Sequence, residues 1–202
     1  MLWMITDFQR TPEISSACRS ISLALRAGAE KVTIRNKGIF SLKEILKIFE
    51  SVKLEHPEKE IFLHDIDRAL VPGCKCFHFP SNKSKDAFSL KKKEQDLKAA
   101  LSAHSVKECE QAFAMGMDYL FLSPIFKPLS KPEDKRKLVE PLYLKNLYLL
   151  GGIDRMRGRL LIEKGFTNIA GISLFYGNNA EKDIYELSSL IKEKENESFD
   201  PN

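Results

Sequence analysis

The 202-residue sequence predicts an α/β fold, a single compact (β/α)8 TIM barrel, on three observations. Short apolar segments rich in β-branched and aromatic residues alternate with longer segments of helical period, the pattern of repeated βα units around a parallel sheet. Eight such strand-like segments are present, and polar residues collect immediately after them. About 200 residues is the lower limit for eight units. A doubly wound open sheet is the alternative architecture for the same alternation.

The elements follow in order. The first strand is read at Leu2 to Thr6, with a helix over Ile14 to Ala27 behind Ser15 and Ser16 as cap candidates. The second strand, Lys31 to Arg35, leads to a helix over Ser41 to Leu54 opened by the box-like Ser41-Leu-Lys-Glu44. After the third strand, Ile61 to His64, only Asp67 to Gly73 remains, and Pro72 interrupts it, so this crossover is one turn or degenerate. The fourth strand is Cys74 to Phe79 and the fifth Lys98 to Ser102, followed by a helix over Val106 to Met115 capped by Ser105. The sixth, Tyr119 to Leu122, runs into the lysine-rich loop Phe126 to Glu140, which carries Pro128 and Pro132 and is long enough for a flap over a site. The seventh strand, Leu147 to Leu150, precedes a helix over Asp154 to Lys164, and the eighth is Asn168 to Ile172. A last helix, Ala180 to Lys194, packs over the barrel and ends a domain of residues 1–194, while Glu195 to Asn202 has the composition of a frayed tail.

Composition excludes several function classes. At 43% hydrophobic and 30% charged the chain is an ordinary globular one, and its longest apolar runs fall far short of the roughly 18 residues a membrane span needs. The start, Met1 to Asp7, lacks the basic segment and small-residue cleavage site of a signal peptide, so the cytoplasm is the expected location. Of Cys18, Cys74, Cys76 and Cys109, only Cys74 and Cys76 are close, and a C-x-C pair without a second pair is a weak zinc signal. Reduced thiols are the better reading. A net charge of +4, dispersed among acids, favours small anionic ligands over nucleic acid. The helical faces of a barrel look alike whether they meet solvent or a neighbour, which leaves a homodimer open.

In such a barrel, binding and catalytic residues must sit at the carboxyl ends of the strands and in the loops just after them. Those positions hold Asp7; Arg35, Asn36 and Lys37; His64 and Asp65; His78; Ser102 and His104; Ser123 with the Lys127 to Lys131 loop; Gly151 and Gly152; and Ser173. Each has a plainer reading as well. Arg35 and Lys37 are equally compatible with solvated loop bases, His64-Asp65 with an ion pair or turn cap, and His104 with a helix cap beside Ser105. Gly151-Gly152 between a buried strand and a helix lets backbone N–H groups approach an anion closely, although a tight unliganded turn uses the same residues.

These residues, taken in order, resemble the thiamine phosphate synthase superfamily, which also contains thiazole tautomerases. Thr33-Ile-Arg35-Asn-Lys37 is similar to the family's Q-x-R-x-K, with Thr33 in place of glutamine. Ser102-Ala-His104-Ser105 resembles S-x-H-S. Asp118-Tyr119, Ser123-Pro124-Ile125-Phe126 and Ser130-Lys131 follow the D-Y-x-x-x-G-P-x-F-x-T-x-T-K signature, and Leu150-Gly151-Gly152-Ile153 with Gly171-Ile172-Ser173 matches the closing phosphate site. The resemblance implies coupling of an aminopyrimidine diphosphate with a thiazole phosphate to give thiamine phosphate and pyrophosphate. It further implies that Arg35, Lys37 and Lys131 hold the diphosphate, that Ser102 supports the substrates with Thr33, His64 and Ser130 beside them, and that Gly151, Gly152 and Ser173 hold the thiazole phosphate. Asp65 would be a Mg²⁺ ligand. Three departures stand against this. Where the family reads H-L-G-Q-x-D, the chain reads His78-Phe-Pro-Ser-Asn-Lys-Ser-Lys-Asp86, so the second metal ligand is missing and Lys83 and Lys85 oppose a divalent cation. Pro128 replaces a threonine, and His64-Asp65 aligns only with a one-residue slip. A related branch isomerises a thiazole phosphate carboxylate without metal, with His104 as the natural proton shuttle. A barrel that binds phosphate esters without chemistry is the third reading.

Overall fold

The computed structural model describes residues 1–126 and 146–197. Eight parallel strands close into one barrel in sequence order: β1 (Leu2–Ile5), β2 (Ala29–Ile34), β3 (Glu60–His64), β4 (Cys76–Phe79), β5 (Lys98–Ala103), β6 (Tyr119–Leu122), β7 (Leu147–Leu149) and β8 (Ile169–Gly171). The helices outside are α1 (Ile14–Ala27), α2 (Leu42–Glu55), α3 (Ser84–Lys93), α4 (Val106–Ala114), α5 (Arg155–Glu163) and α6 (Ala180–Glu197). Closure is made by β1, which pairs β2 on one side and β8 on the other.

Alternation along each strand divides the core into two layers, because successive side chains point to opposite faces. Leu2 and Met4 belong to the outer layer shared with the helices, whereas Trp3 and Ile5 belong to the barrel interior with Phe62, Ala100, Phe121, Tyr148 and Ala170. Trp3 fills the centre: its ring centroid lies 4.6 Å from Phe62, 4.7 Å from Phe121 and 4.9 Å from Tyr148. Alanines at 100 and 170 leave the room that the indole needs, so the interior is packed solid rather than open. Beneath this layer, at the amino ends of the strands, Glu60 binds Lys31 at 3.2 Å and accepts from the Tyr119 hydroxyl at 3.0 Å, with Lys98 as a further ion-pair partner.

The helices start where the sequence supplies caps. Ser41 accepts the Glu44 N–H, and the Glu44 carboxylate accepts the Ser41 N–H in return. Ser105 and Asp154 cap α4 and α5 by accepting the Glu108 and Arg157 N–H groups. At α1 the cap is Glu13, and Ser16 reciprocates from the third helical position rather than capping. The crossover between β3 and β4 is the single turn Arg68–Leu70, as Pro72 requires. The helix α3 was not expected. The closing helix extends to Glu197, past the Lys194 at which the sequence reading ends it, and packs Ile184, Leu187 and Ile191 inward against its neighbours α1 and α5. None of the described helices is long and apolar enough to cross a membrane.

Candidate active site

The carboxyl ends of β1 to β5 build a polar mouth over the aromatic interior. At the end of β1, the buried Thr6 hydroxyl accepts the Arg35 N–H at 2.8 Å and donates to the Arg35 carbonyl at 3.2 Å. The backbone from which the Arg35 side chain rises is thereby fixed. Burial lowers the guanidinium pKa and Asp7 opposes that shift; an arginine stays charged through such changes. On the next strand His64 ends β3, and burial together with the nearby Arg35 pushes its imidazolium down to about 4. Its ring lies edge-on to that of His78, centroids 5.0 Å apart.

His78 occupies the middle of the mouth floor. It is buried and stacked on Phe121 at 4.4 Å and 13°, with Nδ1 3.1 Å from Thr33 Oγ1 and Nε2 3.0 Å from Ser102 Oγ. Burial, reinforced by His64 and Arg35, holds its pKa well below the ordinary histidine range. Both histidines are therefore neutral at physiological pH, so the charged groups at this rim are the Arg35 guanidinium with Asp7 beside it and the Lys83–Asp65 pair.

The remaining sequence-assigned residues fall into four groups. Lys37 is exposed at the tip of the turn after β2, with φ of +48°; the Asn36 side chain closes that turn on the Phe40 N–H and carbonyl. Gly151 (φ +106°) and Gly152 (φ +66°) do form the turn after β7. A Cβ on Gly151 would stand 2.8 Å from Pro124 Cα, and the Gly151 carbonyl accepts the Phe126 N–H at 3.0 Å, so glycine is required for this close approach. Ser173 is exposed and begins a single turn after β8. Ser130 and Lys131 lie outside the described residues.

Three expected roles are corrected by geometry. Thr33 has no exposed surface and accepts the Trp3 indole N–H at 2.9 Å, so it supports the mouth from below and cannot touch a ligand. His104 has both ring nitrogens engaged: Nδ1–H donates to the Ser123 carbonyl at 2.8 Å, which leaves Nε2 to accept the Ser81 hydroxyl at 3.1 Å. Its ring ties together the segments after β4, β5 and β6 rather than capping the helix beside Ser105, and a shuttle role would require one of these exposed hydrogen bonds to open. Asp65, in a left-handed conformation (φ +56°), is bound by Lys83 Nζ at 2.6 Å. An ammonium already occupies its carboxylate, and among the described residues no three acidic, histidine or cysteine side chains gather to hold a metal. The residues present do not fit a divalent cation at Asp65.

Missing from the sequence assignment were Trp3, which its strand alternation hid as ordinary core, and His78, which was placed at a strand end without a role. The four cysteines are free thiols, Cys74 and Cys109 buried, and burial raises the Cys109 thiol pKa to about 11.

A closed eight-stave barrel with charged and hydroxyl-bearing side chains at its mouth defines a (β/α)8-barrel protein of the sort that carries its site at the carboxyl ends of its strands. The particular lineage follows from comparison: the chain belongs to the thiamine monophosphate synthase family, whose model matches residues 2–175. It is 29% identical over 188 residues to the putative thiamine-phosphate synthase 2 of Aquifex aeolicus, covering 86% of this chain and 96% of that one. To the thiamine-phosphate synthase of Listeria monocytogenes it is 26% identical over 191 residues, covering 87% and 86%. The thiamine phosphate pyrophosphorylase of Pyrococcus furiosus superposes with a TM-score of 0.76 over 96% of each chain at 24% identity, a likeness of fold.

Proposed function

We propose that the protein is a transferase of thiamine biosynthesis that couples an aminopyrimidine diphosphate with a thiazole phosphate, forming thiamine phosphate and pyrophosphate. The observation that carries this reading is a mouth whose described residues supply cations and a hydroxyl while its histidines are neutral or hydrogen-bonded, the Asp7 carboxylate lying beside Arg35. His64 and His78 are neutral and weakly basic, His104 is tied to Ser81 and Ser123, and Arg35 stands charged beside them. Such a site suits heterolysis of the pyrimidine methylene–oxygen bond. The bonding electron pair leaves with the diphosphate, the thiazole nitrogen supplies the pair for the new carbon–nitrogen bond, and no proton has to be abstracted. What the protein contributes is stabilisation of the departing polyanion. Arg35 contributes to it directly, and Lys83, held on Asp65, places a second cation at the next strand end. The free thiols suit the reducing cytoplasm.

Purified protein given both substrates should release pyrophosphate in stoichiometric step with thiamine phosphate, with added Mg²⁺ and equally with a chelator present. Absence of release beside an active control enzyme removes the reading; release only with Mg²⁺ keeps the coupling reaction and removes the assignment to Lys83. The metal-independent thiazole tautomerase is the second reading, favoured specifically by the Lys83–Asp65 contact. Isomerisation of the thiazole phosphate carboxylate that is lost in His104→Ala would support it.

A further inference from the structure

We infer that a buried hydrogen-bond chain, Trp3 to Thr33 to His78 to Ser102, makes His78 a positioning residue that aims the Ser102 hydroxyl proton into the mouth as a donor for a phosphoryl oxygen. The direction of the chain follows from its first member. An indole N–H can only donate, so Thr33 Oγ1 is an acceptor at 2.9 Å from Trp3 Nε1. Thr33 then has one hydroxyl proton to place, and among the described residues its remaining partner is His78 Nδ1 at 3.1 Å. If Nδ1 carried hydrogen instead, the Thr33 proton would be sealed without an acceptor in a residue of 0% exposure, which buried hydroxyls avoid. Nδ1 therefore accepts.

A neutral imidazole has one N–H, and it must now lie on Nε2. That N–H donates to Ser102 Oγ at 3.0 Å. Protonating both nitrogens would strand the Thr33 proton and place a charge on a side chain that is 2% exposed and stacked on Phe121, so the neutral form persists. Ser102 has consequently filled one acceptor site from beneath. Its own proton finds no acceptor among the described residues, and Ser102 is the only exposed link of the four, being half-buried at the end of β5. Its hydroxyl is part-buried at the carboxyl end of β5, bonded to a His78 that lies close enough to Arg35 to feel its charge. A donor beside a cation recognises an anionic oxygen, and the chain fixes that polarity before any ligand arrives, which is preorganisation in the sense that matters for transition-state charge.

This rests on the mouth being an anion site, as in the proposed function, but not on the coupling reaction itself. The test uses ¹⁵N-histidine-labelled protein and inorganic pyrophosphate as the probe. In the wild type, the histidine resonances that disappear in His78→Gln should show the Nε2–H tautomer, unchanged between pH 6 and pH 8. Ser102→Ala should weaken pyrophosphate binding by roughly 10- to 100-fold, the range for a hydrogen bond to a charged group. Thr33→Val should mix the His78 tautomers and weaken binding several-fold, Thr33→Ser should restore both, and Thr33→Val should add nothing further in the Ser102→Ala background. An Nδ1–H tautomer in the wild type overturns the proposal without any variant having to fold. So does equal loss from Thr33→Val with and without Ser102, and absence of pyrophosphate binding by the wild type removes the ligand assignment. A protein that passes these measurements yet releases no pyrophosphate from the two substrates would retain the hydrogen-bond chain and lose only the transferase reading.

Discussion

His64 shows how far a single side chain can couple the mouth to the stability of the whole molecule. Its imidazole is pushed down to about 4 by burial first and by Arg35 second, while in the unfolded chain it titrates near 6.5. Between those values the unfolded state binds the proton and the folded state does not, so unfolding is favoured as pH falls and the neutral-histidine contribution is complete only above about 6.5. Buried His78 acts in the same direction. We expect the urea midpoint of the wild type to drop as pH is lowered from 6.5 to 4.5, and His64→Gln to flatten that slope by on the order of 2 kcal/mol. Parallel pH profiles for the two proteins would show that His64 takes up its proton equally in the folded and unfolded chains. At this scale the sequence was only partly legible. Arg35, His64 and Ser102 do lie at or next to the carboxyl ends of their strands, a placement that can be read from periodicity. Thr33 was misassigned because residues facing the barrel interior and residues facing a ligand share one alternation, and depth along the barrel axis is not written in it. Lys83 was noted in the sequence only as a positive charge after the fourth strand, and its direct contact with Asp65 needed coordinates.

At the scale of elements, turns carry more of the site than the helices do. Gly28 and Gly151 both have positive φ and both would clash on gaining a Cβ, Gly28 with Ser188 Oγ at 2.5 Å and Gly151 with Pro124 Cα at 2.8 Å. They sit at opposite ends of the barrel, Gly28 where α1 hands over to β2 and Gly151 where β7 enters the mouth. Each alanine variant should lose about 2 to 4 kcal/mol in chemical denaturation, from backbone strain plus overlap. Only Gly151→Ala should also weaken pyrophosphate binding, because its turn supports the segment after β6. Equal affinities in the two folded variants would detach the β7 turn from the site. All eight strands were legible within one or two residues, since alternation and β-branched content mark them independently of context. The helix α3 was not, for a physical reason: Ser84–Lys93 buries only Ala87 fully, and Lys85, Lys91, Lys92 and Lys93 dilute its apolar stripe. It is helical because the barrel surface between β4 and β5 needs a cover, a tertiary demand that local pattern does not express.

The whole molecule separates its two ends by function, and this gives a test that spans the barrel. Below Trp3 and Phe62, the Glu60 carboxylate is raised by burial but lowered more by Lys98, Lys31 and Tyr119, so its pKa stands below the ordinary value. Its stabilising contribution is therefore present above the unfolded glutamate value and is lost as pH falls through the folded one, a window lower than that of His64. Lys31, whose side chain is only 12% exposed, depends on this partner. Replacing Glu60 by Gln keeps the shape and removes the charge, leaving two ammonium groups facing each other across an aromatic floor. We expect a loss of about 1 to 3 kcal/mol at neutral pH. Because the interior layer of Trp3, Phe62, Phe121 and Tyr148 is packed between this plug and the mouth, pyrophosphate affinity should stay within about twofold of wild type. Titration calorimetry and urea denaturation on the same preparation separate the outcomes. A parallel loss of affinity would mean that the aromatic layer transmits strain to the His78–Ser102 pair, and the two ends would then have to be treated as one coupled unit.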